Sequence, residues 1–267
     1  MALTLNPSSL NNAQNALATS LARLSTAQRI NSAKDDAAGQ AIASAMDAQL
    51  RGSSQATRNV YDGLSLTSTA EGALGQVSDS LQRMRELTIQ AANGTNSASD
   101  RQAIQSEIDQ LSQGLQQIAD TTQFNGQKLL DGKFSVQLQS GPNAADTTAL
   151  ALGNGSPQAL GVAALDVTTP AGAANALQSL DSALASVNGQ RADIGALQAG
   201  LNSTLANLSG TYENLASAKS RIVDTDFAKE SANLSRNSTL QQVATQALKL
   251  YNDNQASVLG LISPTRG

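Results

Sequence analysis

The sequence predicts a mainly α protein: a long antiparallel helical bundle, a coiled-coil rod, with a small β-hairpin element and amphipathic helices at both ends. Three observations predict it. Leu180, Val187, Ile194, Leu201, Leu208, Leu215 and Ile222 recur every seven residues, the mark of a helix lying along another long helix with a left-handed supercoil. Aromatic residues make up 2% of the 267 and Trp is absent, so the core is aliphatic and Ala-rich, which suits a thin bundle. Of five prolines, Pro7 and Pro264 sit near the ends and Pro142, Pro157 and Pro170 in the middle. Two long Pro-free arms are thereby free to form helices.

The heptad stretch covers residues 175–222. Leu177, Leu184, Leu205 and Tyr212 fill the companion seam, interrupted by Arg191, Gln198 and Lys219. At about 1.5 Å per residue such a helix is roughly 70 Å long. Gly189, Gly195, Gly200 and Gly210 lie inside it, each costing about 1 kcal/mol relative to Ala. This helix needs partners from the rest of the chain.

Leu10, Leu17 and Leu24 keep the seven-residue spacing, with Leu21 nearby, and predict a first helix over 8–28. Residues 31–39 break the apolar pattern. Lys34, Asp35 and Asp36 read either as an acid/base cluster or, preferred here, as a solvated connector or subunit-contact loop. An Ala-rich helical tract follows over 40–58. A separate one runs over 64–92, through Leu74, Val77, Leu81, Met84, Leu87 and Ala91, with Gln82, Arg83, Arg85 and Glu86 on its polar face. Asn93-Gly94-Thr95-Asn96 signals a turn. Ser99 with Gln102 gives a capping-box pattern for a helix through Ile104, Ile108, Leu111, Leu115 and Ile118. Two helices joined by so short a turn fold back antiparallel.

Phe124-Asn125-Gly126 and Asp131-Gly132 are hairpin or turn signals. Phe134, Val136 and Leu138 alternate with polar residues as in a strand, and 147–152 reads as a returning strand. Residues 153–170 read as loop with a short strand. After a polar break at 223–227, with Phe227 as one buried-looking aromatic, a last helix is expected over 228–261. Leu234, Leu240, Ala244, Ala247, Tyr251, Val258 and Leu261 give it an apolar face.

Composition excludes several functions. Cys and His are both absent, so no disulfide, Cys/His zinc site, catalytic Cys or Ser-His-Asp triad can form. Only carboxylate-based metal binding or catalysis stays open. Net charge is −4, which favours neither nucleic acid nor an anionic membrane surface. No stretch is apolar enough to span a membrane, and the first residues lack the basic start and apolar run of a signal peptide. Charged residues are only 14%, so identical surfaces can approach with little repulsion.

On particular strings the chain closely resembles bacterial flagellin. Towards the N-terminus these are Arg23-Leu24-Ser25 and Arg29-Ile30-Asn31-Ser32-Ala33-Lys34-Asp35-Asp36-Ala37-Ala38-Gly39. Leu81-Gln82-Arg83-Met84-Arg85-Glu86-Leu87 and Thr122-Gln123-Phe124-Asn125-Gly126 continue the match. Towards the C-terminus it includes Ser220-Arg221-Ile222, Asp224-Thr225-Asp226-Phe227 and Ala232-Asn233-Leu234-Ser235. The likeness spans residues 1–130 and 175–262.

The resemblance implies a filament subunit with three parts. Residues 1–38 and 228–267 form a terminal-helix coiled-coil layer lining an inner tube; 39–130 and 175–227 form a helical rod; 131–174 cap the rod as a small β/loop element. That central segment is too short for the large outer domains many flagellins carry. The family also implies export through a flagellar channel without a cleaved signal peptide, an extracellular location and a homopolymeric helical filament for swimming motility. Partners are an export chaperone, cap and junction proteins, and an animal innate-immune flagellin receptor. Neither an enzyme activity nor a cofactor is expected. Subunit contacts fall on Leu10, Leu17, Leu21, Leu24, Leu240, Ala247, Tyr251, Val258 and Leu261. Gln82, Arg83, Leu87 and Glu107 match positions used for rod contacts and receptor recognition. Two departures touch the inner layer: the helix before Ile30 is shorter than usual in the family by about two turns, and Ser263-Pro264-Thr265-Arg266-Gly267 extends past the last helix. Weighed against the filament subunit are a hook–filament junction protein and, from another class, a polysaccharide-binding adhesin.

Overall fold

A computed structural model describes residues 7–262, with the side chains of Pro7, Ser9 and residues 259–262 left out of the description. Five helices and four short strands follow in order: α1 (Pro7–Thr26), α2 (Ala37–Ala92), α3 (Ala98–Thr121), β1 (Gln123–Phe124), β2 (Gln127–Lys128), β3 (Ser135–Gln139), β4 (Thr147–Ala151), α4 (Pro170–Val223) and α5 (Phe227–Ile262). The chain divides into two compact units, one made of residues up to Ala48 and from Glu213 onward, the other of Gln49–Tyr212.

The second unit owes its core to the helical periods. Leu74, Val77, Leu81, Met84, Leu87 and Ala91 from α2, Ile104, Ile108, Leu115 and Ala119 from α3, and Ala176, Leu180, Ala183, Val187 and Ile194 from α4 are all buried in one cluster. Further along, Ala56 and Val60 meet Leu201 and Leu208. The heptad positions are thus buried where a partner helix runs beside them. Tyr212, expected in the companion seam, is instead exposed.

Two helical tracts were expected over 40–58 and 64–92; the chain forms one helix. Nothing between 58 and 64 breaks it, since the stretch holds no Pro and its single glycine, Gly63, is buried under Leu138 of β3. A Cβ there would lie 2.7 Å from Leu138 Cδ2. Tertiary packing on that face outweighs the weak local propensity of a glycine.

The turn 93–96 reverses the chain into α3. Its cap is Ser97 with Asp100, not Ser99 with Gln102: the Asp100 carboxylate accepts from the Ser97 N–H and hydroxyl, and the Ser97 hydroxyl accepts from the Asp100 N–H. Asp serves as the reciprocal acceptor, two residues earlier than the Ser/Gln pattern suggested. These bonds, the Ser97 hydroxyl foremost, hold the Asp100 carboxyl below its ordinary range.

β1 and β2 form an antiparallel two-residue hairpin in the register Gln123↔Lys128 and Phe124↔Gln127. Asn125 (φ 49°) and Gly126 (φ 78°) make its turn, the positive-φ pair a type I′ loop requires. β3 and β4 pair antiparallel from Ser135↔Ala151 to Gln139↔Thr147. Residues 152–169 hold no further strand, only an isolated bridge from Asp131 to Asn154. They are fixed by Leu160, Val162, Leu165 and Val167, which enter the core. Gln105 of α3 also clamps the segment, its amide donating to the Leu165 carbonyl at 2.8 Å and accepting from the Val167 N–H at 2.8 Å.

Candidate assembly surfaces

In the first unit α1 and α5 run antiparallel along each other. Arg23 approaches Glu230 at 3.9 Å, Asn237 bonds Ser20, and Asn12, Ala13 and Ala16 face Leu240, Val243, Ala244 and Ala247 across a groove of about 500 Å³. Small residues on α1 leave that groove open. Leu10, Leu17, Leu24 and Ala247 are half-buried, whereas Leu21, Leu240, Tyr251 and Val258 are exposed, as are Val243 and Leu250. Leu261, named with them from sequence, has its side chain outside the described residues. Among the described residues nothing covers the apolar stripe that this pair of helices carries.

The chain enters and leaves this pair through a backbone clip. α1 ends at Thr26, and Ala27 follows at φ 56°, the left-handed residue that closes a helix. Its carbonyl accepts from the Thr225 N–H at 3.0 Å, and the Arg29 N–H donates to the Val223 carbonyl at 2.6 Å. The Arg29 guanidinium adds a bond to the Ile222 carbonyl at 2.6 Å. Lys34, Asp35 and Asp36 form no acid/base cluster. Asp35 accepts from the Asn31 and Ser32 N–H groups and the Ser32 hydroxyl, with the Asn31 bond the largest influence lowering its pKa and the Arg23 charge a smaller one. Asp36 caps α2 by accepting from the Gly39 N–H at 2.8 Å. No local pattern announces the clip, because its bonds join groups almost two hundred residues apart. Phe227, expected to be buried here, is exposed; it opens α5 on the solvent side.

A second surface lies in the other unit on α2 and α3. Arg83 bonds Glu107 at 3.0 Å and Glu86 at 3.2 Å, and these carboxylates, Glu107 first, raise its pKa further. Gln82 is exposed beside it. Leu87, grouped with these three from sequence, is 3% exposed. It faces the core four residues after Arg83, so it supports this surface from beneath and offers nothing to a partner. Among the described residues no group of carboxylates is placed to hold a metal ion, and no helix is long and apolar enough to cross a membrane.

A helical rod unit, joined in one chain to paired terminal helices that leave an apolar stripe uncovered, defines a structural protein built to associate with its own kind. Residues 1–135 match the family model of the bacterial flagellin N-terminal helical region, and residues 177–262 that of the bacterial flagellin C-terminal helical region. The chain belongs to the bacterial flagellin family. A flagellin of Halalkalibacterium halodurans is 43% identical over 90% of this chain and 89% of that protein. A Serratia marcescens flagellin is 47% identical over 62% of this chain but 48% of its own length, so the chain spans about half of this longer relative. Among solved structures, Bacillus cereus flagellin aligns with a TM-score of 0.51 and 32% identity, over 61% of this chain and 94% of that one.

Proposed function

We infer that the protein is the structural subunit of a bacterial flagellar filament and polymerises outside the cell to serve swimming motility. The observation that carries this reading is the uncovered apolar stripe of the terminal helices, with Leu240 and Val243 over half exposed beside an open groove. Burying apolar area at about 25 cal/mol per Å² gives stacked copies a driving force that the single chain lacks. In this reading residues 1–38 and 228–267 supply the terminal-helix layer, 39–130 and 175–227 the helical rod, and 131–174 its small β/loop cap. The low charge density supports close approach of identical surfaces.

The role is mechanical, with no chemistry assigned to any side chain. The subunit reaches its place through the flagellar channel and meets an export chaperone, cap proteins and junction proteins there. Gln82, Arg83 and Glu107 form the surface offered to an animal innate-immune receptor. Deleting residues 1–30 or 235–267 tests the assembly reading by negative-stain imaging after salt-induced polymerisation. Neither truncation should form filaments while the rod stays helical by circular dichroism; normal filaments from either one refute it.

A further inference from the structure

Asn-Gly occurs at Asn93, Asn125, Asn154 and Asn188, and the fold places the same dipeptide in four different backbone settings. The chemistry at stake is intramolecular. When the glycine N–H loses its proton, its nitrogen attacks the Asn Cγ; that N–C bond forms, the Cγ–NH2 bond breaks, and ammonia leaves with a proton. Water then opens the five-membered succinimide at either carbonyl, giving aspartate or isoaspartate. The step needs a free glycine amide and a carboxamide folded over it.

Asn93 and Asn154 form a matched pair. Each bends its side chain into an Asx turn, with Oδ1 accepting from the N–H two residues on: Thr95 at 3.1 Å and Ser156 at 2.9 Å. That turn lays the carboxamide over the intervening glycine amide, and its N–H donor steadies the negative charge that builds on Oδ1 during attack. The two differ in the nucleophile. Gly155 is buried and its N–H is committed to the Leu130 carbonyl at 3.0 Å. Gly94 is exposed, and among the described residues its N–H has no acceptor. Asn188 lies inside α4, where the Gly189 amide belongs to the helix ladder. Asn125 is held at φ 49° by the β1–β2 turn, and among the described residues no bond folds its carboxamide over Gly126.

We propose that Asn93 is a site of spontaneous deamidation in the folded protein, converting to aspartate and isoaspartate, while the backbone protects Asn154. Conversion places a carboxylate at the C-terminal end of α2, where the helix dipole disfavours it. The isoaspartate form also inserts an extra main-chain carbon at the α2–α3 turn, which Arg101 now fastens by donating to the Ala91 carbonyl at 3.1 Å.

The test incubates the full chain in mildly alkaline buffer and follows the four peptides by mass and by isoaspartyl methyltransferase labelling. The peptide holding Asn93 should gain the mass of an NH2-to-OH exchange and become a methyl acceptor. Asn125 should follow more slowly, with Asn154 and Asn188 unchanged. Gly94→Ala is a clean control, since a Cβ there meets nothing within 4 Å, and it should remove most of the gain at Asn93. An intact Asn93, equal conversion at Asn154, faster conversion at Asn125, or an undiminished rate in G94A each overturns the proposal.

Discussion

Asn237 donates through Nδ2 to the buried hydroxyl of Ser20 at 3.2 Å, across the seam between α5 and α1. A polar pair set among the apolar contacts of a helix seam fixes which turns of two helices lie side by side, as a buried polar position does in coiled coils. Asn237→Ala removes the donor and costs about 1 kcal/mol of helix pairing. The concentration needed for filament growth should rise about fivefold, read by sedimentation of polymer. An unchanged threshold would show that the apolar contacts alone set the register.

The stripe itself can be tested without disturbing the monomer. Val243 is 56% exposed, so Val243→Asp places a charge where the single chain already meets water. Monomer helicity by circular dichroism should match the parent. Assembly should fail, because a carboxylate buried between stacked copies loses its hydration with no cation to meet it. Filaments of normal length from this variant would move the contact elsewhere.

Arg83 and Leu87 separate surface from support. Leu87→Ala empties a buried site and should lower unfolding free energy by about 2–5 kcal/mol, measured in urea. Arg83→Ala touches only exposed ion pairs with Glu86 and Glu107, which contribute little in water, so its urea midpoint should stay put. Receptor binding should respond in the opposite order for folded protein: impaired by R83A, retained by L87A at temperatures where that variant is native.

Leu87 also shows where a sequence can and cannot be read. Its period is plain, and so is that of Leu180 through Leu208: burial on a helix follows from spacing, and the heptads foretold the core face of α4. What spacing omits is which neighbours arrive from far away. Gly63 falls in the gap between the two expected tracts, because the Leu138 side chain that covers it lies on β3. Gln105 carries no signal in the helical period of α3, yet it holds the 165–167 backbone through two long-range bonds. Phe227 looked buried because aromatics usually are, while α5 begins with that position turned to solvent. At the assembly surfaces the apolar residues were legible by type. Their exposure was not, since Leu17 and Leu21 differ only in how α1 is rotated against α5.

Asp35 supplies a pH dependence with a definite sign. Its carboxylate accepts from the Asn31 and Ser32 N–H groups and the Ser32 hydroxyl, and these bonds lower its pKa below the ordinary Asp value of 3.8. Because the folded value lies below the unfolded one, the unfolded chain binds the extra proton first as acid is added. The stabilisation is therefore complete above the ordinary value and is lost as pH falls through the lowered, folded value. Protection of the Asn31 and Ser32 amides from hydrogen exchange should stay constant from neutral pH down to that window and then fall. In Asp35→Asn the amides should be less protected at neutral pH, and the acid step should disappear, because the carboxylate that accepts from these two N–H groups is gone. A step that persists in D35N would refute the assignment of this acid sensitivity to Asp35.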